Sequence, residues 1–582
     1  MTENLLNKDS IICALIMIIG LFLALLFPWF ADIQGLASST ETSITADNPE
    51  AVTRYYVAKT GDGTNPILGW STAFTNVQDA LTEAILTSGG EIWVAEGVYY
   101  PDEGIGQIEN ARESTFMLAD NVKLYGGFDT NDTTFYERDW ERNMTVLSGD
   151  IDQNDTNTGG VVLTITHIVG NNSYNVITAN GAIGANITKN SVLDGFTITA
   201  GRANDSSNFY VQGGGFYCYG AGNGNECSPI LTNINFSGNF AQATGGALYT
   251  DCSFGGKSNP QLTNVTFSSN KAIEGGAIYN TAVTNGICNP FLKDVTFFNN
   301  SANWGGALYN NGITGSIYPN LLDVTFINNS AENDGGAMYN YGKQGDSSPS
   351  LTNVIFAGNS AGGDGGAIYN YGYSGISSPS LANVVFSGNK AVFRGGAIYS
   401  DGSENGAANP ILTNVTISGN FAGEIGGGMY NNGYDGNSKP LVQNSILWNN
   451  KDNSGTEPLF GNIYNNAGTV TVTHTIIQGS EGSSSWTGGS YVDDGGNVDI
   501  NPLFLEPIDP NSSPTTLGNL HLQSNSPAID AGNNSFINGI STDLDGEPRI
   551  VDGDKDATPT VDMGAYEYIE YIFDGYLPLI MR

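Results

Sequence analysis

Uncharged carbohydrate, uronate chains and metal ions are the ligands that a chain rich in Asp, Asn and Tyr is equipped to meet. Its carboxylates and bases decide which of these it could act on. Hydrolysis of a glycoside needs two carboxylates flanking the bond. Elimination from a uronate needs a base, with calcium between substrate and protein carboxylates. Basic residues are few between positions 205 and 500. Arg394 is the best placed, one repeat from Asp364 and two from Asp334. Equivalent positions elsewhere hold Thr244, Glu274, Trp304 and Ile425, so the register carries no fixed catalytic residue type. His167, His474 and His521 stand apart in the sequence, which favours structural roles for them.

Calcium is the cofactor the sequence suggests. Asp543 and Asp545 fall in an Asp-x-Asp-Gly run, and Asp552, Asp554 and Asp556 in the next acidic turn. Alternating carboxylates over a glycine turn present hard oxygen ligands. The twelfth-position glutamate and flanking helices of an EF-hand are missing. The competing reading is acidic turns capped by their own amides. Cys218, Cys227, Cys252 and Cys288 sit close together in sequence and allow two disulfides with three pairings. No metal-type Cys or His spacing accompanies them.

A third set is aromatic. Tyr249, Tyr279, Tyr309, Tyr339, Tyr369, Tyr399 and Tyr430 recur at a fixed place in a repeat. If their apolar neighbours face inward, alternation turns the tyrosines outward. They then form either a half-buried stabilising stack or a stripe that binds sugar or another surface.

The elements that position these groups are written in the repeat. Gly-Gly-Ala-(Ile/Leu/Met)-Tyr begins at Gly245, Gly275, Gly305, Gly335, Gly365 and Gly395, with Gly426 a close variant, so the period is thirty or thirty-one residues. A second signal, Leu-x-Asn-Val-x-Phe-x-x-Asn, runs in phase with it. Its aromatic position is Phe236, Phe267, Phe297, Phe326, Phe356 and Phe386, and its final asparagine Asn239, Asn270, Asn300, Asn329, Asn359, Asn389, Asn420 and Asn450. Val265-Thr266-Phe267 alternates as a strand does, and no helical period appears inside the unit. The unit cannot bury its apolar face alone, but a stack of units can. The expectation is an all-β solenoid, a right-handed parallel β-helix with roughly 30-residue coils stacked ~4.8 Å apart. The final asparagine is expected to take left-handed geometry and to bridge to the next coil. Sequons at Asn264 and Asn414 read as by-products of this pattern.

The ends need caps. A short helix over 74–88, with Thr75 and Gln78 at capping-box spacing, is expected at the N-terminal end. The chain divides into 1–37, a signal peptide or membrane anchor; 38–52, a linker; 53–190, an N-terminal cap with irregular coils; 191–497, regular coils; 498–568, an irregular C-terminal cap; and 569–582, a tail. The first division rests on an uncharged stretch from Ser10 to Ala31, long enough to span a bilayer. Glycine is 77 of 582 residues, and net charge is −38. That charge excludes nucleic acid as a main partner and leaves the N-terminal segment as the only membrane contact.

The pairing of Phe-x-x-Asn with Gly-Gly-Ala-Ile resembles the repeat of polymorphic outer-membrane adhesins and other right-handed β-helix proteins of the pectin-lyase-like superfamily. Asn501-Pro502-Leu503-Phe504, Ser526-Pro527-Ala528-Ile529-Asp530, Thr542-Asp543-Leu544-Asp545-Gly546-Glu547-Pro548-Arg549 and Val561-Asp562-Met563-Gly564-Ala565-Tyr566-Glu567 are similar to the choice-of-anchor Q domain. The resemblance implies a secreted or surface-attached rod with a surface glycan or an extracellular protein as partner. Because the β-helix superfamily also holds polysaccharide lyases and hydrolases, it carries an enzymatic alternative.

Overall fold

In a computed structural model, residues 53–206, 210–454, 458–486, 491–537 and 539–570 are described. The expected signal peptide or anchor, the linker, Cys13 and the end of the tail lie outside them.

The described chain is an all-β parallel β-helix. Each regular coil contributes a long strand, such as Gln261–Ser268, and a short one, such as Ile278–Thr281. Long strands pair with long strands of neighbouring coils, in parallel and in register, so Phe267 lies opposite Phe236 on one side and Phe297 on the other. Short strands do the same, and 11 of them form the second sheet. Two-residue strands in six successive coils, from Ser301–Ala302 to Lys451–Asp452, build a third, six-stranded sheet. The apolar residues of both main sheets meet in one core running from Tyr55 to Tyr491.

Like-on-like stacking is literal. Phe236, Phe267, Phe297, Phe326, Phe356 and Phe386 form a column with ring centroids 4.6–5.0 Å apart and planes within 8° of parallel. All six are fully buried. Spacing and orientation follow from strand separation, since identical rotamers on paired strands must superpose.

The final asparagine of the long-strand signal forms a buried ladder. Asn300 Oδ1 accepts from the backbone N–H of Asn270 and from its Nδ2, both at 3.0 Å. Asn300 Nδ2 donates to the Phe267 carbonyl at 2.9 Å and to Asn329 Oδ1 at 3.0 Å. The pattern continues through Asn359, Asn389, Asn420 and Asn450. The expected bridge to the next coil is therefore present. The left-handed residue, however, is the one before, as at Ser269, Asn299 and Asn328 with φ of 53–56°. Placing the turn one residue earlier frees the asparagine side chain to point inward.

Two more left-handed columns explain the remaining repeat residues. Asn264, Asp294, Asp323 and Asn353 each have φ of 53–56° in the middle of a long strand, which accounts for the sequon at Asn264. The first glycine of each pair, Gly245 to Gly426, has φ of 61–72°. The second is required for space. A Cβ on Gly276, Gly306, Gly336 or Gly366 would lie 2.0–2.2 Å from the next coil's glycine carbonyl oxygen.

The N-terminal helix spans Val77–Leu86 and buries Val77, Ala80, Leu81 and Ala84 against the open end of the coil. Its cap is Asn76, whose Oδ1 accepts the Asp79 N–H at 2.9 Å, in place of the expected Thr75. Gln78 instead ties the helix to the carbonyls of Pro101 and Thr115.

The C-terminal cap is irregular, as expected, but it lies along the flank of several coils and not over the last turn alone. Phe504, Ile508, Leu520, Leu522, Ile529 and Met563 pack on Val385, Ile446 and Ile476. These three occupy the outward column that holds Thr266, Thr296 and Thr325 in earlier coils. The column turns apolar at Ile355 and continues through Val385, Ile446 and Ile476, interrupted by Thr416, whose Oγ1 accepts the Ala565 N–H at 3.0 Å. Asn414 Nδ2 donates to the Asp562 carbonyl at 3.0 Å, and Gly564 N–H to the Asn444 carbonyl at 2.8 Å.

Replacing Asn329 by Asp removes the amide donor and puts a charge inside the ladder. Each buried group left without a partner costs roughly 1–3 kcal/mol. Asn329→Asp should lose at least ~2 kcal/mol of unfolding free energy in denaturant titration. Hydrogen exchange should rise in the two flanking coils before it rises elsewhere, as nearest-neighbour coupling requires.

Candidate functional site

The tyrosines form the expected ladder outside the main core, but their faces are not open. Tyr249 to Tyr430 stack with centroids 4.7–5.8 Å apart. They are only 3–8% exposed. The short strand therefore buries both sides, Ile278 toward the main core and Tyr279 in a second, aromatic one. Trp304, Ile425, Tyr341 and Tyr371 pack against it. The reading of an exposed stripe is corrected on this point: ladder rings cover one another, and the residues before the glycine pairs cover their edges. Tyr249 Oη donates to Asp251 Oδ2 at 3.0 Å, and Asn311 Nδ2 donates to Tyr279 Oη at 2.8 Å.

Arg394, Asp364 and Asp334 belong to that covering row. Arg394 makes a two-point contact with Asp364, Nη2 to Oδ2 at 2.9 Å and Nε to Oδ1 at 3.2 Å. Its guanidinium lies 5.4 and 5.3 Å from the ring centroids of Tyr399 and Tyr430. The backbone N–H of Asp364 donates to Asp334 Oδ1 at 2.9 Å, and that of Arg394 to Asp364 Oδ1 at 2.9 Å. The three residues thus form a rung-to-rung chain whose polar atoms are directed at one another. Burial pushes the Asp364 carboxyl up to about 6, against the pull of Arg394. Burial likewise raises Asp334 and lifts Asp155 to about 6.

The five aspartates expected to hold calcium do not converge. Asp543 is fully buried and accepts three backbone N–H groups, from Asp545, Glu547 and Glu567. Asp545 Oδ2 lies 2.6 Å from His521 Nε2, so that histidine is not isolated. Asp556 Oδ1 accepts the Thr558 N–H. Asp552 and Asp554 do meet, and the third carboxylate beside them is Asp530. Their oxygens lie within 4.8 Å of one another. Asp530 comes from a distant turn, so local spacing gave no sign of it.

The cap motifs build a buried ionic network. Arg549 is 1% exposed, and its Nη1 sits 2.8 Å from Glu567 Oε1. Arg549 Nη2 also donates to the Gly564 carbonyl. Asp562 accepts the backbone N–H groups of Asp530 and Tyr568. Burial raises the carboxyls of Glu567 and Asp562. The cysteines pair as Cys218–Cys227 and Cys252–Cys288, with Cα atoms 5.8 and 6.0 Å apart.

A family model described as the Chlamydia polymorphic membrane protein (Chlamydia_PMP) repeat matches residues 233–251, 264–281, 294–311, 323–340, 353–371 and 383–401. Each match starts at the left-handed Asn or Asp of a long strand and ends in the following short strand. Among solved structures, the chain is similar to the one titled "Crystal structure of pectate lyase Pel9A". Identity is 12%, 89% of this chain and 97% of that chain are covered, and the TM-score is 0.30. None of the curated proteins matches.

Asp364 and Asp155 have folded-state values above those of an unfolded carboxyl. Their stabilising contribution is complete below about pH 4 and is lost as pH rises through about 6. Lower pH also reduces the self-repulsion of the −38 chain. The melting temperature should therefore rise between pH 7 and pH 5, and Asp364→Asn should flatten part of that slope in scanning calorimetry. For the calcium expectation, melting with excess calcium and with chelator is the check. A calcium-dependent rise that Asp552→Asn abolishes is the expected outcome, and superposed curves would remove calcium from the account.

Proposed function

We propose that the chain is a secreted or cell-surface β-helical rod that binds a surface glycan or an extracellular protein. The six-coil match to polymorphic membrane protein repeats carries this reading. The site chemistry supports it. The arginine and aspartates best placed for work on acidic polysaccharide are engaged with each other and with the backbone. Net charge of −38 disfavours polyanionic ligands. The choice-of-anchor Q-like motifs then have a mechanical role, since Asp543, Arg549, Asp562 and Glu567 hold the cap's turns together and the Asp562 carbonyl ties them to Asn414 of the coil. The N-terminal apolar segment serves export or tethering.

Fractionation of expressing cells with external protease shaving tests the reading. The chain should appear outside the cytoplasm and lose its epitope to protease added to intact cells. A protease-resistant cytoplasmic pool holding nearly all of it would overturn the proposal.

A further inference from the structure

The tyrosine ladder stops where the N-terminal irregular coils begin. In its register, Tyr249 pairs with Tyr217, Tyr217 with Thr178, and Thr178 with Met117. Tyr217 stacks on Tyr249 with centroids 5.3 Å apart and planes 9° from parallel. Tyr219 lies beside it, 5.9 Å away and 7° from parallel, so the two rings make a double platform. On the far side of Tyr217, the next rung offers only the small Thr178. A cavity of about 800 Å³ opens there, lined by Tyr217, Thr178 and Met117, and by Tyr174 and Tyr210, themselves stacked 4.9 Å apart. Its volume falls in the range of small-molecule sites, roughly 300–1,000 Å³.

We propose that this cavity is a subsite for an uncharged sugar, which stacks on Tyr217 and takes the place of the missing ring. The inference rests on the rod reading above and specifies its ligand. Three observations select the chemistry. The platform is a flat aromatic face with a free side, and sugar rings present an apolar face that fits it. Asn175 Nδ2 and Thr115 Oγ1 donate to backbone carbonyls and stiffen the wall, while the amides of Asn180 and Gln212 suit sugar hydroxyls. Among the described residues the charged ones lining the cavity are Glu113 and Asp120, and Arg112, packed on the Tyr174 ring, is tied to the carbonyls of Asn172 and Arg202, so uronates, sulfates and phosphates are disfavoured. Glu113 is exposed at the cavity's rim and Gln212 is half-buried in its wall, so both side chains are accessible to a ligand.

The test is calorimetric titration of the full chain with neutral gluco-, manno-, galacto-, xylo- and N-acetylglucosamine oligosaccharides, and with an oligogalacturonate. At least one neutral series should bind and the oligogalacturonate should not. Thr178→Tyr supplies the missing rung and fills the cavity; it should weaken binding at least tenfold with the melting temperature kept or raised. Met117→Trp, at an exposed position, narrows the cavity from its other end and should act likewise if Thr178→Tyr folds poorly. Absence of binding to every neutral series would overturn the subsite, as would preferential binding of an aromatic-rich peptide. Binding that both variants leave unchanged would overturn it while leaving the surface rod intact. A cytoplasmic location would sink the rod and leave the subsite standing.

Discussion

The buried asparagine ladder is the constraint from which the rest follows. An amide inside an apolar column must satisfy two donors and an acceptor. Here each one does so only through the coils above and below, so a coil shifted by one residue would break contacts on both sides. The ladder therefore fixes register as well as adding stability. Once register is fixed, Phe267 must face Phe297, Tyr279 must face Tyr309, and each glycine pair must sit beneath the next coil's carbonyl. The two glycines cannot be exchanged for each other's reasons, one supplying a positive φ and the other vacating the space for a neighbouring backbone.

The same register produces a second core on the outside of the coil. Alternation along a strand turns every second side chain away from the core. The short strands bury Ile278 and its equivalents inside and Tyr279 and its equivalents outside. Covering the tyrosines then falls to the residue before each glycine pair, and this is why that position varies among Glu274, Trp304, Asp334, Asp364, Arg394 and Ile425. Each covers the same rings by different means. What resembles a catalytic register is largely a lid, and the pKa of Asp364 is a product of lying in it. At Thr178 the aromatic row runs out, and the space that rings fill elsewhere becomes a cavity.

The C-terminal cap applies the argument to a flank. Its apolar residues need a partner surface, and the coil provides one by turning an outward Thr column into Val385, Ile446 and Ile476. The buried Arg549–Glu567 pair holds the cap's turns to one another. Such a pair is a weak source of net stability but penalises any arrangement that separates its members.

The sequence alone determined the period, the strand character and the stacking columns, because a repeat imposes the same local solution on every coil. The Phe column and the inter-coil role of Asn270 were legible on that ground. The change from Thr to Ile and Val at 355, 385, 446 and 476, broken by Thr416, takes its meaning only from the flank contact. Four features were decided by tertiary structure. The left-handed turn fell at Ser269 and not Asn270, since the amide is worth more inside the ladder. The tyrosines became buried, since residues thirty positions apart close over them. Asp530 joined Asp552 and Asp554 across distant turns, while Asp543 was drawn to backbone amides. The empty rung at Thr178 arose because an irregular coil, carrying no repeat signal, was placed in register with regular ones by the strand pairing itself.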